Sequence, residues 1–141
     1  MLGSLACCGL LAAPAALGEP GALDSAFGSG GVATVAAGTS SAGAGTIVQP
    51  GGDVIVEGQE DASLLGPIYI TATRLLPSGA PDPCFGSTSC TGNGTVDVSK
   101  GQTYSGAALA QESNGQLLVA GAIRATASGA FGLGVVRLVG K

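Results

Sequence analysis

The sequence predicts an all-β protein built from two tandem copies of one module. Three observations support this fold class: 26 of the 141 residues are glycine, one residue pattern occurs twice, and short apolar runs alternate with turn residues. Abundant glycine, serine, threonine and valine favour short strands and tight turns over helices. A pattern that returns after about sixty positions is typical of a repeat architecture, in which each copy forms one supersecondary unit.

The repeat is visible in two pairs of segments. Residues 21–28 (GALDSAFG) return as residues 79–86 (GAPDPCFG), an offset of 58 positions. Residues 53–58 (DVIVEG) return as residues 116–121 (QLLVAG), an offset of 63 positions, because the first turn of the second copy is five residues longer. The chain is therefore divided into two predicted modules: residues 19–78 and residues 79–141.

Each module is predicted to contain four short strands. In the first module these are residues 32–36, 44–49, 53–58 and 68–76. In the second they are residues 95–99, 106–111, 116–122 and 131–139. The pairs Gly51-Gly52 and Asn114-Gly115 suit positive φ and predict a hairpin between the second and third strands of each module. Consecutive strands should then run antiparallel, and the wholly apolar third strands predict coverage on both faces.

A four-stranded antiparallel sheet of some sixty residues, repeated in tandem, is the outline of a β-propeller blade. The order of motifs from Gly21 to the C-terminus also resembles the delta-sixty repeat, a family of β-propeller modules found mostly in exported bacterial proteins. The resemblance implies two propeller-type blades and no established biochemical activity. Pro81 departs from the Leu-Asp of the first copy, and the longer turn after it departs from the pattern as well.

Two blades make an incomplete propeller, since closed propellers typically have at least four. Unpaired edges and apolar faces invite association. The expected partners are therefore further blades of a longer chain or other copies of this chain, with a small two-sheet sandwich as the remaining possibility. Of these, a longer reading frame fits the ending best, because the chain stops in phase with the module.

The first eighteen residues predict an export signal. They carry no charge and form an apolar run that ends in small residues before Glu19, with cleavage expected after Ala15 or Gly18. The basic residues that normally precede such a run are absent, and a short buried element or an uncleaved anchor is the other interpretation. The run is shorter than the ~20 residues that span a bilayer. The protein is expected to be bacterial, secreted or at the cell surface, with no stable membrane span after signal removal.

Cysteine usage agrees with export. Cys7 and Cys8 would leave with the signal, so Cys84 and Cys90 are predicted to form a structural disulfide in the longer turn. In the chain-entropy model, so short a loop contributes about 2 to 3 kcal/mol. Two thiols without histidine do not complete a zinc shell, and the spacing is not that of a Cys-x-x-Cys redox pair.

Six repeated residues are the obvious candidates for chemistry, and a structural role is predicted for each. Their positions are Asp24, Phe27, Arg74, Asp82, Phe85 and Arg137. Each aspartate should cap its own turn, each phenylalanine should fill the gap between modules, and each arginine should anchor the next turn. Arg74 is expected to meet Asp82 or the carbonyls around it. The alternative is a carboxylate in each module that binds calcium or a sugar.

Composition excludes several functions. The chain has no histidine, which removes Ser-His-Asp and Cys-His catalysis. Its five basic residues are scattered and its net charge is −4, which argues against a nucleic-acid partner. No catalytic residue, metal site or cofactor is predicted.

The function predicted from the sequence is that of a secreted, non-enzymatic scaffold with an unidentified ligand. A surface adhesin that binds an extracellular glycan or protein is the main alternative. The variable loops 60–67 and 124–130 are where repeat proteins usually carry recognition. A hydrolase or lyase is the weaker alternative; its site would lie in the channel of a ring completed by further blades, with Asp53 or Asp97 as the carboxylates.

Overall fold

The computed structural model describes residues 19–61, 63–64, 66–99, 108–124 and 129–139. The strands within these ranges are β1 (Ser40–Val48), β2 (Val54–Asp61), β3 (Ile68–Leu75), β4 (Thr95–Asp97), β5 (Ala108–Gln111), β6 (Leu117–Arg124) and β7 (Phe131–Leu138). No helix occurs in the described ranges, so the all-β prediction is confirmed. The predicted signal, with Cys7 and Cys8, lies outside them.

The strands form two antiparallel sheets. The first sheet has the order β1-β2-β3-β4 and the second has the order β5-β6-β7. Hairpins join β1 to β2 and β5 to β6, as the turn residues predict. The pairing registers of β2 with β3 and of β6 with β7 are the same after a shift of 63 positions: Val54 opposes Leu75, and Leu117 opposes Leu138. The two modules therefore fold with the same local geometry.

The prediction that each module builds its own four-stranded sheet is wrong. Strand β4 belongs to the second module in sequence, yet it pairs with β3 and completes the sheet of the first module. The equivalent segment, residues 32–36, is not a strand and makes only the isolated bridge between Ser29 and Val32. A strand at that position needs the last strand of a preceding sheet as its partner, and the described residues contain none.

Both hairpin turns are closed by a single left-handed glycine. Gly52 and Gly115 have the same φ of +88°, while Gly51 and Asn114 are not in the left-handed region. In the first hairpin, Gly52 N donates to Gln49 O at 2.8 Å and Gln49 N donates to Asp53 O at 2.8 Å. This is a three-residue hairpin loop that places glycine at the αL position. The turn residues predicted the hairpins, but not that only the second residue takes positive φ.

The core lies between the two sheets. Alternate residues of a strand share a face, and the registers place Ile55, Ile70 and Ala72 of the first sheet on one face. These three are 0–2% exposed and pack against Leu117 and Val119 of the second sheet, which are 2% and 1% exposed. Each fully buried aliphatic side chain of this kind contributes about 1.5–3 kcal/mol. The sheets are therefore stacked face to face through apolar contact.

Strand boundaries differ from the predictions by a few residues. Strand β1 begins at Ser40 instead of residue 44, and β2 continues to Asp61 because its pairing with β3 extends to Ile68. Residues 106 and 107 of the predicted sixth strand lie outside the described ranges. The disulfide predicted between Cys84 and Cys90 is present. Among the described residues, none belongs to a helix long and apolar enough to cross a membrane.

Candidate functional site

The turn that opens the second module, residues 80–86, contains a buried, hydrogen-bonded aspartate; we call this turn the junction turn. Asp82 Oδ1 accepts a hydrogen bond from Cys84 N at 2.8 Å, and Asp82 O accepts one from Phe85 N at 3.1 Å. An aspartate that accepts from the amide two residues ahead fixes an Asx turn. Asp82 therefore caps its own turn, in the geometry proposed from the sequence.

Arg74 at the end of β3 and Asp82 form a buried ion pair. Arg74 Nε donates to Asp82 Oδ2 at 2.6 Å, and the terminal guanidinium nitrogen contacts the same oxygen. The Arg74 guanidinium carbon lies 4.8 Å from the centroid of the Phe85 ring. All three residues are 7% exposed. The pair joins β3, the last strand formed by residues of the first module, to the turn that begins the second module.

Backbone hydrogen bonds surround this ion pair and carry the chain from β3 into β4. Asp82 N donates to Arg74 O at 2.9 Å, and Arg74 N donates to Gly94 O at 2.8 Å. Gly94, with φ of +79°, directly precedes β4. The junction turn therefore sets the position at which β4 joins the first sheet.

The equivalent turn at Asp24 has the same hydrogen bonds as the junction turn. Its residues, and the equivalent arginine Arg137, are more exposed. Asp24 Oδ1 accepts from Ala26 N at 2.9 Å and Asp24 O accepts from Phe27 N at 3.0 Å, as in the junction turn. Asp24 is nevertheless exposed, and Phe27 is only half-buried. Arg137 is exposed as well and pairs with Glu112 Oε1 at 3.1 Å. The structure thus brings together Arg74, Asp82 and Phe85, but it does not bring Asp24 and Arg137 together.

Glu57 on β2 is a buried carboxylate that the repeat analysis did not select. It is fully buried on the face that meets the second sheet, and neither carboxylate oxygen has a hydrogen-bond partner in the described structure. Burial raises the pKa of Glu57 above its ordinary value of 4.5. Comparison of the two copies could have identified Glu57, since the second copy has Ala120 at the equivalent position. A charge in the middle of an apolar strand, where the repeat has alanine, indicates an unusual site.

A polar cleft of about 570 Å³ lies between the two hairpin turns. Its lining includes Gln49 and Asp53 from the first hairpin and Gln111, Glu112 and Asn114 from the second. The cleft exists because the two modules are stacked with their hairpins at the same end. Its amide and carboxylate groups are suited to hydrogen bonding with a polar ligand.

The two carboxylates considered for an enzyme site are far apart. Asp97 on β4 opposes Thr71, which opposes Gly58, while Asp53 lies five residues before Gly58. At about 3.3 Å per residue this is a separation of roughly 16 Å along the strands. Asp97 instead accepts hydrogen bonds from Ser99 N and Ser99 Oγ, at 2.9 and 3.1 Å. Within this chain the two aspartates therefore do not form a catalytic pair.

The disulfide lies beside the ion pair. Cys84 and Cys90 close a loop that begins in the junction turn. Gly92 N donates to Pro83 O at 2.9 Å, between the residues that flank this loop. Among the described residues, no group of three or more acidic, cysteine or histidine side chains is arranged to hold a metal ion.

Comparison with protein-family models, curated proteins and solved structures finds no match to this chain.

Replacement of Arg74 tests the role of the junction ion pair. Arg74→Met leaves the Asp82 carboxylate buried without its cation, and we expect a loss of about 3–5 kcal/mol in the free energy of unfolding. The repeat supplies a matched control, because Arg137→Met breaks an exposed pair and should cost no more than about 1 kcal/mol. Urea unfolding followed by far-UV dichroism measures both values. Equal losses in the two variants would contradict the structural role of the buried pair.

Glu57 should make stability depend on pH. Between the unfolded-state pKa and the raised folded-state pKa, the folded protein holds a proton that the unfolded chain releases, so stability falls as pH rises through this window. Glu57→Gln should therefore have a higher Tm than the parent protein at pH 8, with the difference becoming small near pH 4. Glu19→Gln, at an exposed residue, is the control. A pH-independent difference between Glu57→Gln and the parent would refute this assignment.

Proposed function

We propose that this protein is an exported, non-enzymatic repeat scaffold whose sheets are blades of the β-propeller type. The observation that carries the proposal is the buried pair of Arg74 and Asp82. Two of the six repeated polar and aromatic positions are thereby used to couple one module to the next, with Phe85 packed beneath the guanidinium. Residues repeated in every module and used in this way serve the architecture of the module.

The pairing of a second-module strand with the first sheet supports the blade assignment. The first sheet has four strands only because β4 arrives from the second module. This arrangement ties neighbouring modules together through main-chain hydrogen bonds as well as side-chain packing. Such coupling is expected of modules that function as a stacked array, in which each unit contacts its neighbours.

Export is the second part of the proposal. A disulfide between Cys84 and Cys90 persists in oxidising compartments and is rare in reducing ones. The uncharged apolar run at residues 1–18 is consistent with an export signal. N-terminal sequencing of the protein recovered outside the cytoplasm tests this, with a mature chain that starts at residue 16 or 19 as the expected result.

Addition of a module tests the scaffold proposal. A chain that carries a second in-frame copy of residues 79–141 should unfold in one cooperative transition at higher urea concentration, because each added interface stabilises its neighbours. Its m-value should rise by about half, since m scales with the surface exposed on unfolding. A second, separate transition, or an unchanged midpoint, would mean that the modules are not a coupled array.

A second candidate function is that of a glycan-binding adhesin, and the polar cleft between the hairpins favours it. Asp53 lines this cleft, whereas Asp61 lies at the opposite end of β2. If the cleft binds neutral oligosaccharides immobilised on an array, Asp53→Asn should weaken binding by about tenfold, as expected for one lost hydrogen bond to a charged group. Asp61→Asn should leave binding unchanged. Absence of binding to every oligosaccharide would remove this candidate.

A further inference from the structure

The outer face of the second sheet is an apolar surface with a cation at each end: Arg137 at one end and, at the other, Arg124, whose guanidinium carbon lies 4.2 Å from the centroid of the Phe131 ring. Phe131, Leu133 and Val135 of β7 share this face with Arg137, because they alternate along the strand. Their exposed fractions are 42%, 101% and 68%. We call these four residues the trailing surface. A run of large exposed side chains on one face of a sheet indicates a surface that binds a partner.

The repeat identifies what covers the same surface in the first module. Shifted by 63 positions, Leu133 corresponds to Ile70, Val135 to Ala72 and Arg137 to Arg74. Ile70 and Ala72 are 2% and 0% exposed because the second sheet and β4 cover them. The first copy of the trailing surface is thus occupied by the module that follows it.

The first module carries a surface equivalent to the part of the second module that packs on the first sheet. Leu23, Val32 and Val48 of the first module are 67%, 53% and 67% exposed. Asp24 is exposed, and its Oδ2 atom has no protein partner in the described structure. We call these four residues the leading surface. It contains the equivalent of the junction turn without an arginine to bind it.

We propose that the trailing surface of one copy binds the leading surface of a second copy, head to tail. Asp24 of the second copy takes the place of Asp82 and binds Arg137 of the first. Residues 32–34 of the second copy add to the edge of β7 that no described strand occupies, as β4 adds to β3. The in-chain register, in which Thr73 opposes Thr95 and Thr71 opposes Asp97, is the template for this pairing.

The segment that would form this added strand already lies against the outer face of the first sheet. Val35 lines one cavity with Val56 on the outer face of the first sheet. Its counterpart Val98 is buried in the core between the two sheets. Because residues 32–35 lie on the first sheet as the β4 segment lies against the second, the leading surface is preorganised for β7 of another copy.

The partner that Arg137 has in the single chain does not prevent this exchange. Its pair with Glu112 is solvent-exposed and contributes little, as surface ion pairs generally do. The equivalent of Glu112 in the first module is Gln49, which is neutral, and there the arginine pairs with the junction turn. Burial of Arg137 against Asp24 of a second copy would reproduce the stronger arrangement.

The proposed contact joins two different surfaces, so it is heterologous. Repetition of such a contact closes a ring when the rotation allows it and extends an open filament when it does not. The inference rests on the repeat architecture given under the proposed function. It goes further by naming the two surfaces through which copies of this chain would bind each other.

Light scattering after size exclusion of the purified full chain tests the contact. The parent protein should increase in mass as its concentration rises from micromolar to millimolar. Leu133→Glu should weaken this association and raise its dissociation constant about 100-fold, because it places a charge in the apolar contact. Leu64→Glu is the matched control, since Leu64 is 92% exposed in the loop between β2 and β3 and belongs to neither surface. It should associate like the parent protein.

A charge exchange tests the orientation of the contact. Asp24→Arg alone and Arg137→Asp alone should each remain monomeric, because like charges meet in every head-to-tail contact of the variant with itself. A mixture of the two variants should recover association, since opposite charges then meet in both arrangements. Far-UV dichroism of each variant establishes that the sheets are intact.

Two results would overturn the proposal. One is a parent protein that stays monomeric over the whole concentration range. The other is association that Leu133→Glu, Asp24→Arg and Arg137→Asp leave unchanged, which would place the contact elsewhere. Neither result affects the coupled unfolding measured on the chain with an added module, so failure of this inference is distinguishable from failure of the scaffold proposal.

Discussion

The buried ion pair between Arg74 and Asp82 is the interaction on which the rest of the structure depends. It holds the turn that opens the second module against the last strand of the first, and the Phe85 ring packs against the guanidinium. The direction of the chain after that turn determines where β4 pairs, and β4 pairs with residues 71–73 in the middle of β3. A buried charge pair is a poor source of stability compared with apolar packing, but it tolerates few alternative geometries. Here it sets the relation between neighbouring modules.

Much of this arrangement could be predicted because the sequence repeats. An arginine eight residues before the second Asp-x-x-Phe-Gly turn indicated that Arg74 meets Asp82 or the carbonyls around it. The hairpins followed from a Gly-Gly and an Asn-Gly pair between apolar runs, and their local geometry proved the same in both copies, with Gly52 and Gly115 at one φ value. The pairing of Cys84 with Cys90 followed from their isolation in one inserted turn. These features are local, and local chemistry is what a sequence pattern reports best.

The features that escaped prediction depend on contacts between distant segments. Nothing in residues 95–97 distinguishes a strand that begins one sheet from a strand that completes the sheet before it. Likewise, the apolar pattern of residues 32–36 satisfies the requirements of a strand, but a strand forms only where an edge is available to pair with it. Glu57 was visible as a charge where the repeat has alanine. Its burial became apparent only when the two sheets were stacked.

The claim that a strand of the second module completes the first sheet is tested most directly by residue-resolved amide hydrogen exchange at a concentration where the protein is monomeric. The Arg74 amide donates to the Gly94 carbonyl beside β4, whereas the equivalent amide of Arg137 points away from β6, to an edge of β7 that no described strand occupies. We expect slow exchange at Arg74 and fast exchange at Arg137 if β4 completes the first sheet. Equally fast exchange at both amides would contradict this claim, because β4 would then not be held in the first sheet.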